Sequence, residues 1–166
     1  MSEVLVVNAS PLIALAKIGR IDLLEKLASA VVVPESVVGE LVAGRVGDPA
    51  RKAIESGWGQ RARAERIPLE ITEWSLGAGE SEVLAVALSR PGAVAVLDDA
   101  RGRSCAKTLG VPVVGTLGLI LKSKRVGHIA SAAELLRALR DGGSYLDDAL
   151  ITAALAVVGE SWDRRA

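Results

Sequence analysis

The chain has 166 residues, 20 Lys and Arg against 20 Asp and Glu, and half of it is hydrophobic although only 2% is aromatic and Phe is absent. This length suits one domain, its aliphatic content excludes intrinsic disorder, and the lone Cys105 excludes a disulfide scaffold. No apolar run approaches the roughly 20 residues of a membrane span, and Met1-Ser2-Glu3-Val4 lacks the basic flank and cleavage site of a signal peptide, so a soluble cytoplasmic domain is expected.

Four short apolar runs rich in β-branched residues predict strands: Val4 to Val7, Ala30 to Val33, Ala93 to Leu97 and Val111 to Val114. Continuous rather than alternating apolar runs belong to parallel sheets covered on both faces. Between them lie helical stripes. Leu12, Leu15 and Ala16 form one, Ile21, Leu24 and Leu27 the next, and Val37, Val38, Leu41 and Val42 follow Pro34, a residue suited to a helix start. Residues 45–76 differ, with Asp48-Pro49, Gly57-Trp58-Gly59 and the basic cluster Arg61, Arg63 and Arg66. They are read as a variable helical and basic insertion, with a short helix from Pro49 to Glu55 and a strand around Ile67 to Ile71. Val83, Leu84, Ala87 and Leu88 make a helix that ends at Arg90-Pro91-Gly92. Later stripes run through Leu117, Ile120 and Leu121, through Leu135, Leu136 and Leu139, and through Leu150, Ile151, Ala154 and Leu155. Residues 160–166 form a charged tail around Trp162. Alternating strands and helices imply right-handed βαβ units, hence a three-layer α/β/α sandwich with a central, mostly parallel sheet in a single domain.

Ligands of such sheets bind outside the carboxyl ends of the strands. The first strand runs into Asn8-Ala9-Ser10-Pro11, the third apolar run into Asp98-Asp99, and the fourth into Gly115-Thr116. The turn Gly77-Ala78-Gly79-Glu80 delivers a carboxylate at a helix start, and Glu40 projects from the helix after Pro34. Asn8, Glu40, Glu80, Asp98 and Asp99 can thus converge on one sheet edge. Clustered carboxylates repel one another unless a cation neutralises them, and hard oxygens without His or Cys favour Mg²⁺ or Mn²⁺. Such a site suits hydrolysis of a phosphodiester. Each acid also has a plainer use: Asp98-Asp99 as an N-cap pair, Glu80 against a helix dipole, Glu40 as a solvated side chain. His128 reads as a surface residue and Cys105 as a small buried hydrophobe. The glycine turn lacks the Lys and Ser/Thr of a phosphate loop, and no dinucleotide fingerprint follows the first strand, so no nucleotide cofactor is expected.

Four segments, Val6 to Ile13, Val33 to Glu40, Leu76 to Glu82 and Val96 to Asp99, taken in their order and spacing, resemble PIN domains. Asp98-Asp99-Ala100-Arg101-Gly102-Arg103 and Val114-Gly115-Thr116-Leu117-Gly118 fit the branch related to the VapC toxins of bacterial toxin–antitoxin pairs. The resemblance runs from Val4 to about Gly159. It implies a metal-dependent ribonuclease, a cognate antitoxin and a homodimer. Glu40, Glu80 and Asp98 match the family's second, third and fourth acids, with Asp99 as a helper, and Ser10 matches a hydroxyl that steadies the site. Asn8 departs from the pattern, which usually has Asp at that strand end; its amide removes one negative charge but still offers a carbonyl oxygen.

A neutral total argues against coating nucleic acid by bulk charge. Locally, though, Arg101, Arg103 and Lys107 follow Asp98, and Lys122, Lys124 and Arg125 stand on the next helix. Arg101 and Arg103 are placed to steer RNA phosphates towards the acids, with Thr116 beside them. Trp58 and Trp74 are the candidates for stacking single-stranded bases. Two functions follow: a metal-dependent endoribonuclease, the toxin of a toxin–antitoxin pair, or a non-catalytic RNA- or protein-binding module whose site Asn8 weakens. Leu135, Leu136 and Leu139, or the helix through Ile151 and Leu155, offer apolar surface for a dimer, or simply fill the core.

Overall fold

In the computed structural model of the protein, residues 3–163 are described; Met1, Ser2 and the last three residues of the tail lie outside that range. Strand β1 (Val4–Val7) leads through helices α1 (Ala9–Lys17) and α2 (Asp22–Leu27) to β2 (Ala30–Pro34). Helices α3 (Glu35–Val42) and α4 (Pro49–Glu55) precede β3 (Gln60–Ala62), and α5 (Leu69–Thr72) and α6 (Ala78–Leu88) precede β4 (Ala93–Val96). Then come α7 (Ala100–Thr108), β5 (Val113–Val114), α8 (Thr116–Arg125), α9 (Ala132–Asp141) and α10 (Asp148–Val157). The sheet has the order β3-β2-β1-β4-β5 and every pair is parallel, with Val4 to Val7 in register with Ala93 to Val96.

This order follows from apolarity. Leu5, Val6 and Val7 of β1 and Val31, Val32 and Val33 of β2 are all buried, as strands covered on both faces must be. Helix α6 lies against β1, β2 and β4, while α2 and α8 pack together on the side where α2 meets β2. The result is the expected α/β/α sandwich. A second apolar cluster joins Leu23 to Ile120, Leu136, Leu139, Ile151 and Leu155, so the leucines considered for a dimer face are largely core.

Two predicted elements need correction. The strand expected around Ile67 to Ile71 is not there, because Pro68 caps the start of α5 and sets Leu69–Thr72 helical. The strand of this region is instead β3, three polar or small residues at the sheet edge paired only with β2. Gly59, at φ 79°, turns the chain into it where a Cβ would meet Val33 Cγ2 at 2.9 Å. The fourth apolar run shortens to Val113–Val114, since Pro112 has no N–H to give the ladder. Among the described residues, no helix is long and apolar enough to cross a membrane.

Candidate functional site

The order β3-β2-β1-β4-β5 puts the switch of winding direction between β1 and β4, where a crevice opens at the carboxyl edge. Asn8 leaves β1 there, its backbone N–H bonded to Val96 O at 3.1 Å. It occupies the N-cap of α1 yet its side chain caps nothing. Pro11 stands at the third helical position, so one of the two amide hydrogens that an N-cap oxygen usually accepts is missing. Asn8 is 5% exposed and its Oδ1 is buried without a hydrogen-bond partner. A buried orphan oxygen costs about 1–3 kcal/mol unless a ligand meets it.

Gly79 closes one side of this point. A Cβ there would stand 3.3 Å from Asn8 Oδ1 and 3.4 Å from Glu40 Oε2, so both oxygens border the space that glycine leaves open. Glu80, on the first turn of α6, is half-buried. Burial above all, and then the charges of Asp99 and Glu40, push its carboxyl above the ordinary value of 4.5, against a bond from the Gly77 backbone. Asn8 and Glu40 thus border one space, and Glu80 beside it feels the charges of Asp99 and Glu40. Asp99 doubles as the N-cap of α7, its Oδ2 accepting from Arg101 N at 3.0 Å and Gly102 N at 3.1 Å.

Asp98 belongs to a second group. Thr116 donates to it from both backbone N–H and hydroxyl. Gly115 permits this approach, since a Cβ there would fall 2.9 Å from Asp98 Oδ1 and 2.7 Å from Arg103 Nη1. Arg103 is half-buried and donates to Leu97 O at 3.3 Å, whereas Arg101 is exposed and donates to the carbonyl of Trp74. Ser10, Asp98, Arg103 and Thr116 line one cleft of about 660 Å³. Lys122 and Lys124 are engaged elsewhere, with Glu3 at 2.7 Å and Glu160 at 3.7 Å.

An oxygen-only donor set with one orphaned carbonyl and a carboxyl raised by burial and then by its charged neighbours fits a hard divalent cation. Among the described residues, no group of three or more His, Cys, Asp or Glu side chains is placed to hold a metal ion. The fit is therefore of donor chemistry alone. Trp58 and Trp74, the candidates for stacking bases, are half-buried and pack against the core. Glu82 escaped sequence reading. It is buried, accepting from Ser36 N at 2.6 Å and Ala64 N at 3.0 Å, and so ties α3 to the segment after β3. His128 is exposed and Cys105 buried, as expected.

No curated protein is significantly similar to this sequence. The PIN-domain family model, however, matches residues 4–160, nearly the whole of the described structure. With its all-parallel sheet, the chain belongs to the PIN-domain family, whose fold is of the nuclease type.

Proposed function

We propose that the chain is a metal-dependent endoribonuclease of the branch related to the VapC toxins, cytoplasmic, dimeric and held in check by a cognate antitoxin. The observation that carries the catalytic part is the buried, unpartnered Asn8 Oδ1 bordering the same space as Glu40. Asn8, Glu40 and Glu80 would hold Mg²⁺ or Mn²⁺, with Asp98 and Asp99 at the flank. A divalent ion bound there supplies the charge that activates water and stabilises the leaving oxygen, giving a 5′-phosphate and a 3′-hydroxyl. Thr116 fixes Asp98 in one orientation, and Arg103 places positive charge beside it for the scissile strand.

The neutral amide of Asn8 favours a second reading, a non-catalytic RNA- or protein-binding module. One experiment separates the two: Mn²⁺-dependent cleavage of mixed RNA by this chain, by Asn8→Asp and by Asp98→Asn. The nuclease reading expects cutting by the chain, faster cutting by Asn8→Asp and a loss of about a hundredfold or more in Asp98→Asn. Cutting by Asn8→Asp alone makes the chain the binding module. No cutting and no Mn²⁺ binding by any of the three removes the nuclease reading. A neighbouring gene for a small helical protein, and co-purification with it, tests the toxin role; sedimentation of the purified chain tests the dimer.

A further inference from the structure

The chain has three Trp, one Tyr and no Phe, and all three Trp are engaged. Trp58 and Trp74 pack against the core. Trp162 lies 5.0 Å from the Arg137 guanidinium and 5.3 Å from that of Arg140, and its Nε1 donates to Asp148 Oδ1 at 3.0 Å. Tyr145 alone is left, 93% exposed between α9 and α10. Both faces of its ring are therefore open to stacking.

Its position is specific. Tyr145 lines the same cleft of about 660 Å³ that reaches Asp98. The same cleft is lined by the aliphatic Leu117, Leu121, Leu146 and Leu150, and Ser10 and Ser144 add hydroxyls. Arg103 is the one cation among the residues lining the cleft, and it makes a single hydrogen bond, to Leu97 O. Most of its N–H groups thus remain for a phosphate. An apolar slot with a ring at its edge, hydroxyls on its lining and a cation near the acids matches a nucleobase with its neighbouring phosphate. A base paired and stacked within a duplex presents no free face to such a slot.

We infer that this cleft takes one unpaired base of a single-stranded RNA, stacked on Tyr145 with a neighbouring phosphate on Arg103, so that the strand is led past Asp98. The choice of RNA rests on the ribonuclease reading; the test does not depend on cleavage. Short single-stranded RNAs carrying 2-aminopurine at successive positions are titrated with the full chain, Tyr145→Ala and Tyr145→Phe, without added metal ion. Quenching is expected at one position, with Tyr145→Ala binding about tenfold more weakly and losing the quench, while Tyr145→Phe keeps both. Annealing the RNA to its complement weakens binding by a similar factor. Tyr145 is exposed, so its substitution leaves the fold intact.

Unchanged binding by Tyr145→Ala, equal binding of single and double strands, or no binding by the full chain overturns the inference. Cleavage with Mn²⁺ is scored separately. Cutting that accompanies unaltered Tyr145→Ala binding keeps the ribonuclease and removes the base site. A Tyr145-dependent quench without any cutting keeps the base site and removes the ribonuclease.

Discussion

Thr116 grips Asp98 twice: its backbone N–H meets Oδ1 at 2.7 Å and its hydroxyl meets Oδ2 at 2.7 Å. Both carboxylate oxygens are thus held by one residue at the start of α8, and the carboxyl plane cannot rotate freely. Replacing Thr116 with Val removes the hydroxyl bond and keeps the shape. Stability should fall by about 1 kcal/mol, whereas Mn²⁺-dependent cleavage should fall more than tenfold, with Thr116→Ser restoring it. Parallel measurement of the melting temperature and of kcat checks the pair; equal losses in Val and Ser would deny the hydroxyl its positioning role.

Gly79→Ala separates site from scaffold in the opposite sense. Alanine favours a helix over glycine by about 1 kcal/mol, but its Cβ would come within 3.3 Å of Asn8 Oδ1 and 3.4 Å of Val37 Cγ2. The two effects on folding offset, so the melting temperature should change little. Mn²⁺ affinity, followed by isothermal titration, should drop because the added methyl crowds the oxygens that border the space.

Glu80 links ion binding to pH. Its carboxyl sits above the ordinary value of 4.5 through burial and then the charges of Asp99 and Glu40. A raised carboxyl favours the folded state below its unfolded value and loses that advantage as pH rises through its folded value. Ionised Glu80 therefore strains the apo protein at neutral pH, and a divalent cation should relieve it. Millimolar Mn²⁺ is expected to raise the melting temperature at neutral pH and to lose this effect on acidification towards 4.5. A shift of the same size at both pH values would speak against these acids as the ion's seat.

Glu82 has the reverse sign. Burial works to raise its carboxyl, but the bonds from Ser36 and Ala64 and the charge of Arg63 outweigh it and the net direction is down from 4.5. A lowered carboxyl stabilises the fold above its unfolded value, and that contribution drains away as pH falls through its folded value. Glu82→Gln should destabilise the chain by about 1–3 kcal/mol at neutral pH. In urea titrations, its gap to the unaltered chain should close as the pH drops below 4.5.

Legibility in the sequence tracked how much each element depends on burial. The β1, β2 and β4 strands and the helix from Pro49 to Glu55 could be seen in advance, because their apolar residues or Asp48-Pro49 leave a local pattern. Edge strand β3 could not, since Gln60-Arg61-Ala62 pairs through its backbone and buries no apolar side chain on two faces. The strand ends and helix starts named the candidate acids, but not their division into a group around Gly79 and another around Gly115, which depends on close approaches between distant segments. Tyr145 carried no signal at all. A single exposed ring has no periodicity, and only the engagement of every Trp made it conspicuous.

The exposed turn at residues 89–92 divides the chain's chemistry in two. Asn8, Glu40 and Glu80 precede it, and Asp98, Arg103, Thr116 and Tyr145 follow, yet β4 must lie beside β1, with Val7 opposite Val96, before the groups meet. A nascent chain that has not yet delivered β4 therefore lacks half of the candidate site, however well its first half has folded. The same turn offers a natural cut for a split protein, whose two fragments would rebuild the candidate site only by pairing β4 with β1.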